Sequence, residues 1–298
     1  MPPLPDQMES CSCPVCSKDD YRKMYQIKGF NIVKCNNCTM AYVNPRLKDN
    51  AIYKIYEKDY FLKDGYTFDD FGYGNYDLTS HLRDKTFTRW YDAVEPHLKI
   101  KSGIALDVGC ATGRFLGILK NRNWKVKGIE LDKGICNNLR EKGFEIDSNP
   151  LEQYNTSEKF QLITIFDVVE HLPHPHGDFS KLHEILDDQG SLVLVTPNIE
   201  SLQRKLFGKK WFQFKPKEHI SCFSLKTLGM LAEKTGFKIT MSFSSGQYAD
   251  LGFINHRLHR YEFTILASLF EKLMRMAGLK NTSWYINTGS LLVILQKT

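Results

Sequence analysis

No stretch of the 298-residue chain approaches the roughly 20 consecutive apolar residues that a membrane-spanning helix needs. The opening MPPLPDQMES carries two acids and no apolar core, which speaks against a secretory signal and makes a cytoplasmic protein the expectation. Charge of one sign does not dominate either: 40 Lys and Arg stand against 34 Asp and Glu, a net of +6. With 42% hydrophobic and 25% charged residues, the composition is that of a globular protein and argues against disorder, collagen or a coiled-coil rod. There is no GxGxxG dinucleotide loop and no GK[ST] phosphate loop. No internal repeat or low-complexity tract is present.

Four of the eight cysteines form a pattern: Cys13-x2-Cys16, eighteen residues, then Cys35-x2-Cys38. Each CxxC turn aims two thiolates at one tetrahedral ion, so the spacing predicts a Zn2+ site. Four protein ligands close the coordination sphere, which makes the zinc structural rather than catalytic. Cys11 lies close enough to compete with Cys13. Cys110, Cys136 and Cys222 are scattered and read as packed thiols. A module this short and core-poor takes much of its folding free energy from the metal.

The organisation expected is a zinc-binding, zinc-ribbon-like module over residues 10–44, a helical and aromatic linker and active-site lid over 45–100, and a main domain over 101–298. Within the linker, Ile52, Ile55 and Tyr56 have helical spacing, Gly72-Tyr73-Gly74 marks a break, and a helix runs from Thr79 to His97. Strands then alternate with helices. Strands are predicted at 104–108, 125–130, 144–147, 161–166, 191–195, 237–243 and 288–295, and helices near 114–121, 133–142, 178–187 and 224–235. Short apolar strands alternating with helices imply an α/β fold whose parallel sheet is covered on both faces. Leu266, Leu269, Phe270, Leu273 and Met276 mark an amphipathic helix in 256–279, expected to pack on its own sheet rather than on a membrane or partner.

The loop Asp107-Val108-Gly109-Cys110-Ala111-Thr112-Gly113 follows a strand and opens a helix. Its glycines let a ligand approach the backbone closely. An acid just before the first glycine would repel a pyrophosphate but suits a ligand carrying an ammonium and a sulfonium. Glu130, at the tip of the next strand, can accept two hydrogen bonds from a ribose diol.

Strand, loop, helix, strand and acid together resemble the class I S-adenosylmethionine-dependent methyltransferases, whose first motif reads DxGCxxG. The resemblance continues through Asp167-Val168-Val169-Glu170-His171-Leu172, Ser191 to Asn198 and Gly289 to Lys297, covering about residues 100–298. It implies a Rossmann-like, seven-stranded sheet with six parallel strands and one antiparallel. It implies S-adenosyl-L-methionine as cofactor, with Asp107, Gly109 and Gly113 at its methionine end and Asp167 near the reacting methyl. Glu130 would take its ribose hydroxyls, Leu131 would lie beside the adenine, and Cys110 and Ala111 would contribute mainly backbone.

The chain lacks the [DN]PP[YF] motif of enzymes that methylate exocyclic base amines, and it has no Pro-Cys pair for cytosine chemistry. The CxxC module, the aromatic stretch with Tyr60-Phe61 and Gly74-Asn75-Tyr76, and the segment Trp211…Glu218-His219…Phe223-Ser224 are similar to bacterial sugar and secondary-metabolite methyltransferases. That resemblance implies an acceptor site at Glu218-His219, with His219 as general base and Glu218 as its partner or a sugar contact. Against it stands a satisfied polar residue capping the helix near Ser224. His171 either takes part in catalysis or orders the strand-tip loop. His174 and His176 read as solvated loop histidines rather than metal ligands.

Three functions compete: a methyltransferase of small acceptors, including quinone-type O-methylation; an RNA methyltransferase that binds through the zinc module; and a non-catalytic scaffold. Residues 13–44 carry five basic and two acidic residues with no basic run, which disfavours nucleic acid. A scaffold has no need of Asp107, both glycines and Glu130. Finally, Arg204, Lys205, Lys209, Lys210, Lys215 and Lys217 face only Glu218 between residues 201 and 220, nearly the whole net excess of charge. They are either a solvated basic face or the receptor of an anionic acceptor such as a nucleotide-linked sugar.

Overall fold

The structure, a computed structural model, describes residues 5–56, 80–279 and 282–298. Tyr60-Phe61, Gly72 to Tyr76 and Thr79 lie outside the described residues.

The N-terminal part consists of β1 (Met8–Glu9), β2 (Tyr21–Ile27), β3 (Phe30–Cys35), β4 (Ala41–Val43), β5 (Arg46–Leu47) and α1 (Asp49–Tyr56). Then follow α2 (Ser80–Val94), β6 (Gly103–Val108), α3 (Arg114–Asn121), β7 (Trp124–Ile129), α4 (Lys133–Glu141), β8 (Glu145–Asp147) and β9 (Phe160–Phe166). The chain continues through α5 (Pro175–Ile185), β10 (Leu186–Pro197), α6 (Leu202–Phe207), β11 (Ser221–Cys222), α7 (Leu225–Lys234) and β12 (Phe237–Asp250). It closes with α8 (Leu251–Arg260), α9 (Thr264–Met276) and β13 (Ser283–Lys297).

Seven strands form a mixed sheet in the order β12-β13-β10-β9-β6-β7-β8. The pairings from β10 to β8 are parallel, and β13 runs antiparallel to both neighbours. Parallel strands buried on both faces read as continuous apolar runs, which is why FQLITIF and SLVLV were legible. Their side chains divide by period two. Ile163, Ile165, Leu192 and Leu194 pack with Phe179, Leu182, Leu228 and Leu231 on one face. Leu162, Val193 and Val195 pack with Trp90, Tyr91, Phe115 and Leu119 on the other. Helix starts are chemically marked: Asp132 caps α4 by accepting from the Gly134 and Ile135 amides, and Ser224 forms a capping box with Thr227.

The N-terminal module is joined to the main domain rather than tethered beside it. Its sheet runs β11-β4-β3-β2, so β11 is a strand lent by the main domain. Cys13, Cys35, Cys38, Met40 and Tyr42 pack into the same core as Leu106 and Ile163.

The expected helix over 256–279 is corrected in two respects. It is two helices, α8 and α9, and the apolar face of α9 is exposed instead of lying on the sheet. Among the described residues, no helix is long and apolar enough to cross a membrane.

Candidate active site

The loop between β6 and α3 turns through three left-handed residues: Gly109 (φ +74°), Ala111 (φ +46°) and Gly113 (φ +75°). A Cβ at Gly109 would run into the Val168 side chain, so both conformation and space call for glycine. The Gly109 and Cys110 amides donate to the Ile129 carbonyl, tying the loop to β7. The Cys110 side chain turns into a cluster with Leu116, Cys136 and Leu139, leaving backbone at the loop.

Two buried carboxylates flank this loop. Burial pushes Asp107 up to about 7, opposed by the Thr164 hydroxyl, which donates to it at 2.6 Å, and reinforced by Glu130. Glu130 is likewise raised by burial, against the pull of three backbone amides. Its Oε2 accepts from Ala111, and its Oε1 from Leu131 and Asp132. Without a cationic ligand, this end of the cleft holds acids in an environment that disfavours their charge; an ammonium and a sulfonium would reverse that.

Asp107, Gly109, Ala111, Glu130, Leu131, Asp167 and His171 line one cleft. Asp167 at the β9 tip has φ +54° and is pushed up to about 6 by burial, while Arg83 and Lys215 draw it down. A 3-10 turn over Val169–His171 then buries Glu170, whose Oε2 accepts from Thr196 at 3.0 Å and whose Oε1 has no partner among the described residues. Burial and the neighbouring Asp167 raise Glu170 well above the carboxylate range.

The Nδ1 of His171 lies 3.0 Å from the Glu218 carbonyl oxygen and 2.8 Å from the Tyr56 hydroxyl. That of His219 lies 2.8 Å from the Gln213 carbonyl. Carbonyls only accept, which favours the tautomer with the proton on Nδ1 and a lone pair on Nε2 in both rings, although the Tyr56 hydroxyl shares the Nδ1 of His171. Both rings are held neutral: burial takes His171 down to about 4, with the Glu218 and Asp167 carbonyls opposing and Lys215 assisting. His219 is held well below the ordinary histidine value by burial first, then by His171 and Lys215, with the Gln213 carbonyl opposing. The two rings meet edge to face with centroids 4.7 Å apart. Glu170, His171 and His219 each bring one ligating atom within 4.8 Å of the others, a donor set able to accept protons or a divalent cation.

In the cysteine cluster, the Sγ atoms of Cys13, Cys16, Cys35 and Cys38 lie within 4.8 Å of one another, with Cys13–Cys38 at 3.4 Å and Cys16–Cys35 at 3.5 Å. A tetrahedron with Zn–S bonds of about 2.3 Å places sulfurs about 3.8 Å apart, so the donor set fits zinc. Both knuckles make the same turn. Ser17 and Thr39 are left-handed and donate their amides back to the Cys13 and Cys35 carbonyls. Cys11 is outside this cluster, its thiol directed at the Val43 carbonyl and Asn44. Of the two loop histidines read as solvated, His176 bonds the Val15 carbonyl inside the first knuckle, and His174 pairs with Asp49.

Glu218 and His219 lead directly into β11, whose pairing with β4 continues as a hydrogen bond from the Val43 amide to the Ile220 carbonyl. Both are buried. Among the described residues lining the cleft, His171 is present and His219 is not, so His219 meets the cleft through His171. The six basic residues do not act as one patch. Lys215 reaches the buried site, 3.9 Å from Glu218. Arg204 lies over the Tyr25 ring, and Lys210 pairs with Glu262. Sequence reasoning missed Tyr56, Arg83 and Asp178 as cleft residues. Asp178 is buried and pushed up to about 7, first by burial and then by Glu152.

A family model described as "Methyltransferase domain" matches residues 80–242, more than half of the chain, and the chain belongs to that family. The chain is 28% identical over 113 residues to a ubiquinone biosynthesis O-methyltransferase of Nitrosococcus oceani, a match covering 35% of this chain and 48% of that protein. It thus spans about half the length of this curated relative. A magnesium protoporphyrin IX methyltransferase from Synechocystis PCC 6803, solved with bound SAH, is 13% identical with a TM-score of 0.49, covering 84% of this chain and 94% of that one. An S-adenosylmethionine-dependent methyltransferase from Clostridium acetobutylicum is 14% identical with a TM-score of 0.49, covering 74% and 98%.

Proposed function

We propose that this methyltransferase acts on a hydroxyl, or on a carbon beside a ketone, of a small anionic acceptor such as a nucleotide-linked sugar, with the His171–His219 pair receiving the acceptor's proton. The observation that carries this reading is the pair of Nε2 lone pairs, each favoured by an Nδ1 proton given to a backbone carbonyl. When bound, S-adenosylmethionine supplies a methyl group already activated on a sulfonium. The protein's task is then positioning and proton removal. The acceptor's proton would pass to a histidine, and the electron pair on the hydroxyl oxygen, or the pair left on the α-carbon by loss of that proton, would form the bond to the methyl carbon as the carbon–sulfur bond breaks toward sulfur. Asp107 and Glu130 hold the cofactor's cationic and ribose ends, Gly109 and Gly113 admit it, Leu131 borders the adenine, and Asp167 borders the methyl.

Glu218 acts through its carbonyl, which orients His171, and Lys215 offers the buried positive charge for an anionic acceptor. Lys205 and Lys209, both exposed, add to a positive approach. Four cysteines hold a structural zinc that braces β4 and, through it, the strand following His219. The similarity to a ubiquinone biosynthesis O-methyltransferase favours a second reading, a phenolic acceptor, which uses the same proton transfer. A panel of nucleotide-sugars and catechols, assayed for methyl transfer from labelled S-adenosylmethionine, decides between them. Turnover of phenols alone removes the sugar reading.

A further inference from the structure

The α8–α9 pair leaves the C-terminal tip of β12 and returns into β13. Because β12 and β10 both run antiparallel to β13, that tip lies at the same end of the sheet as Asp107 and Asp167. On α9, Ile265, Leu266, Leu269, Leu273 and Met276 fall within about 100° of the helix circumference. They are 78%, 59%, 55%, 63% and 76% exposed. The opposite side is the packed one: Ala267 is buried, and Glu271 is held by Asn255 of α8. Isolated exposed leucines need no explanation, but an apolar arc along three turns does.

The charges around this arc are of one sign in effect. Glu271 is bonded by Arg275 and Glu262 by Lys210, so both acids of the segment are neutralised. Lys272 borders the arc. Lys205 and Lys209 are exposed on the adjoining segment, which is fixed to the α8–α9 turn by Phe207 stacked on Tyr261 at 3.8 Å. A second copy of the chain docked arc to arc would crowd a second set of the same lysines around the seam. Anionic headgroups over an apolar layer complement both features. At about 1.5 Å per residue, the 13 residues of α9 span about 20 Å, too short to cross a bilayer and suited to lying in its surface.

We propose that α9 docks the enzyme on the surface of a bilayer containing anionic lipid, with the cleft end of the sheet toward that surface. The docking stands apart from the acceptor reading and is tested without an acceptor. The full chain is sedimented with phosphatidylcholine vesicles with and without phosphatidylglycerol. The expected result is pelleting with the anionic vesicles, about tenfold weaker with the neutral ones, and reduced by salt. Leu269→Glu with Leu273→Glu abolishes pelleting while S-adenosylmethionine affinity is unchanged. Should that variant not fold, Ile265→Trp, at an exposed position, reports insertion by a blue shift of its emission on adding the anionic vesicles. Failure of the parent protein to pellet, absence of the blue shift, or a parental dimer that the double variant converts to monomer overturns the proposal.

Discussion

The Nδ1 of His171 and the carbonyl oxygen of Glu218 lie 3.0 Å apart. This contact joins the turn after β9 to the segment that enters β11, and in the proposed reading it leaves the His171 Nε2 for the acceptor. The residues are 47 positions apart. Their meeting brings together two motifs that are separate in sequence, and the proposed function makes one proton-accepting site of them.

With Asp107 at the proposed cationic end of the cofactor, cofactor binding should depend on pH. Its folded value of about 7 stands above the ordinary 3.8, so the cofactor-free protein binds a proton there that the unfolded chain has released. Stability from this group is therefore lost as pH rises from about 4 to 7. Asp107→Asn should stabilise the free protein at pH 8 by up to about 4 kcal/mol in denaturant titrations, while cofactor binding disappears. In the unsubstituted protein, cofactor affinity should rise with pH up to about 7 and then level off in calorimetry.

Gly109→Ala forces a side chain into a left-handed position against Val168. Cofactor affinity should fall by about tenfold or more by calorimetry, given the cost of about 1–2 kcal/mol for the conformation alone. The zinc content should be unchanged.

Zinc removal should act on the acceptor end. Chelation or Cys35→Ser loosens β4 and the Ile220 contact that follows His219, whereas the glycine loop is anchored on β7. The expected outcome is one zinc per chain by a colorimetric thiol-release assay and a lowered Tm on its loss. Methyl transfer should be lost further than cofactor affinity.

Ser224→Ala removes the cap of α7 and half of its capping box. A loss of about 1 kcal/mol in stability is expected from urea melts. Cofactor affinity should not change.

The sheet was legible because its central strands are buried on both faces and its helices begin at marked caps. The glycine loop was legible because close approach demands glycine at set positions. CxxC spacing likewise carries its geometry locally. What lay beyond the sequence was tertiary. Two residues of β11 have no periodicity to read, yet they place His219. Tyr56 meets His171 across 115 positions. The apolar period of α9 was visible, but a period gives the width of a face and not the direction it points. The basic run 201–220 looked like one patch, and folding sent its members to the site, the zinc module and the surface.

The most direct test of the proton-accepting pair is single-turnover methyl transfer at pH 7.5 (about one unit above the ordinary histidine value), comparing the parent with His171→Ala and His219→Ala. The acceptor is the one that the panel identifies, and cofactor affinity is measured alongside. A fall of about 10²–10⁴-fold is expected for at least one variant, with cofactor affinity retained. Transfer within about twofold of the parent in both variants would contradict the pair's role.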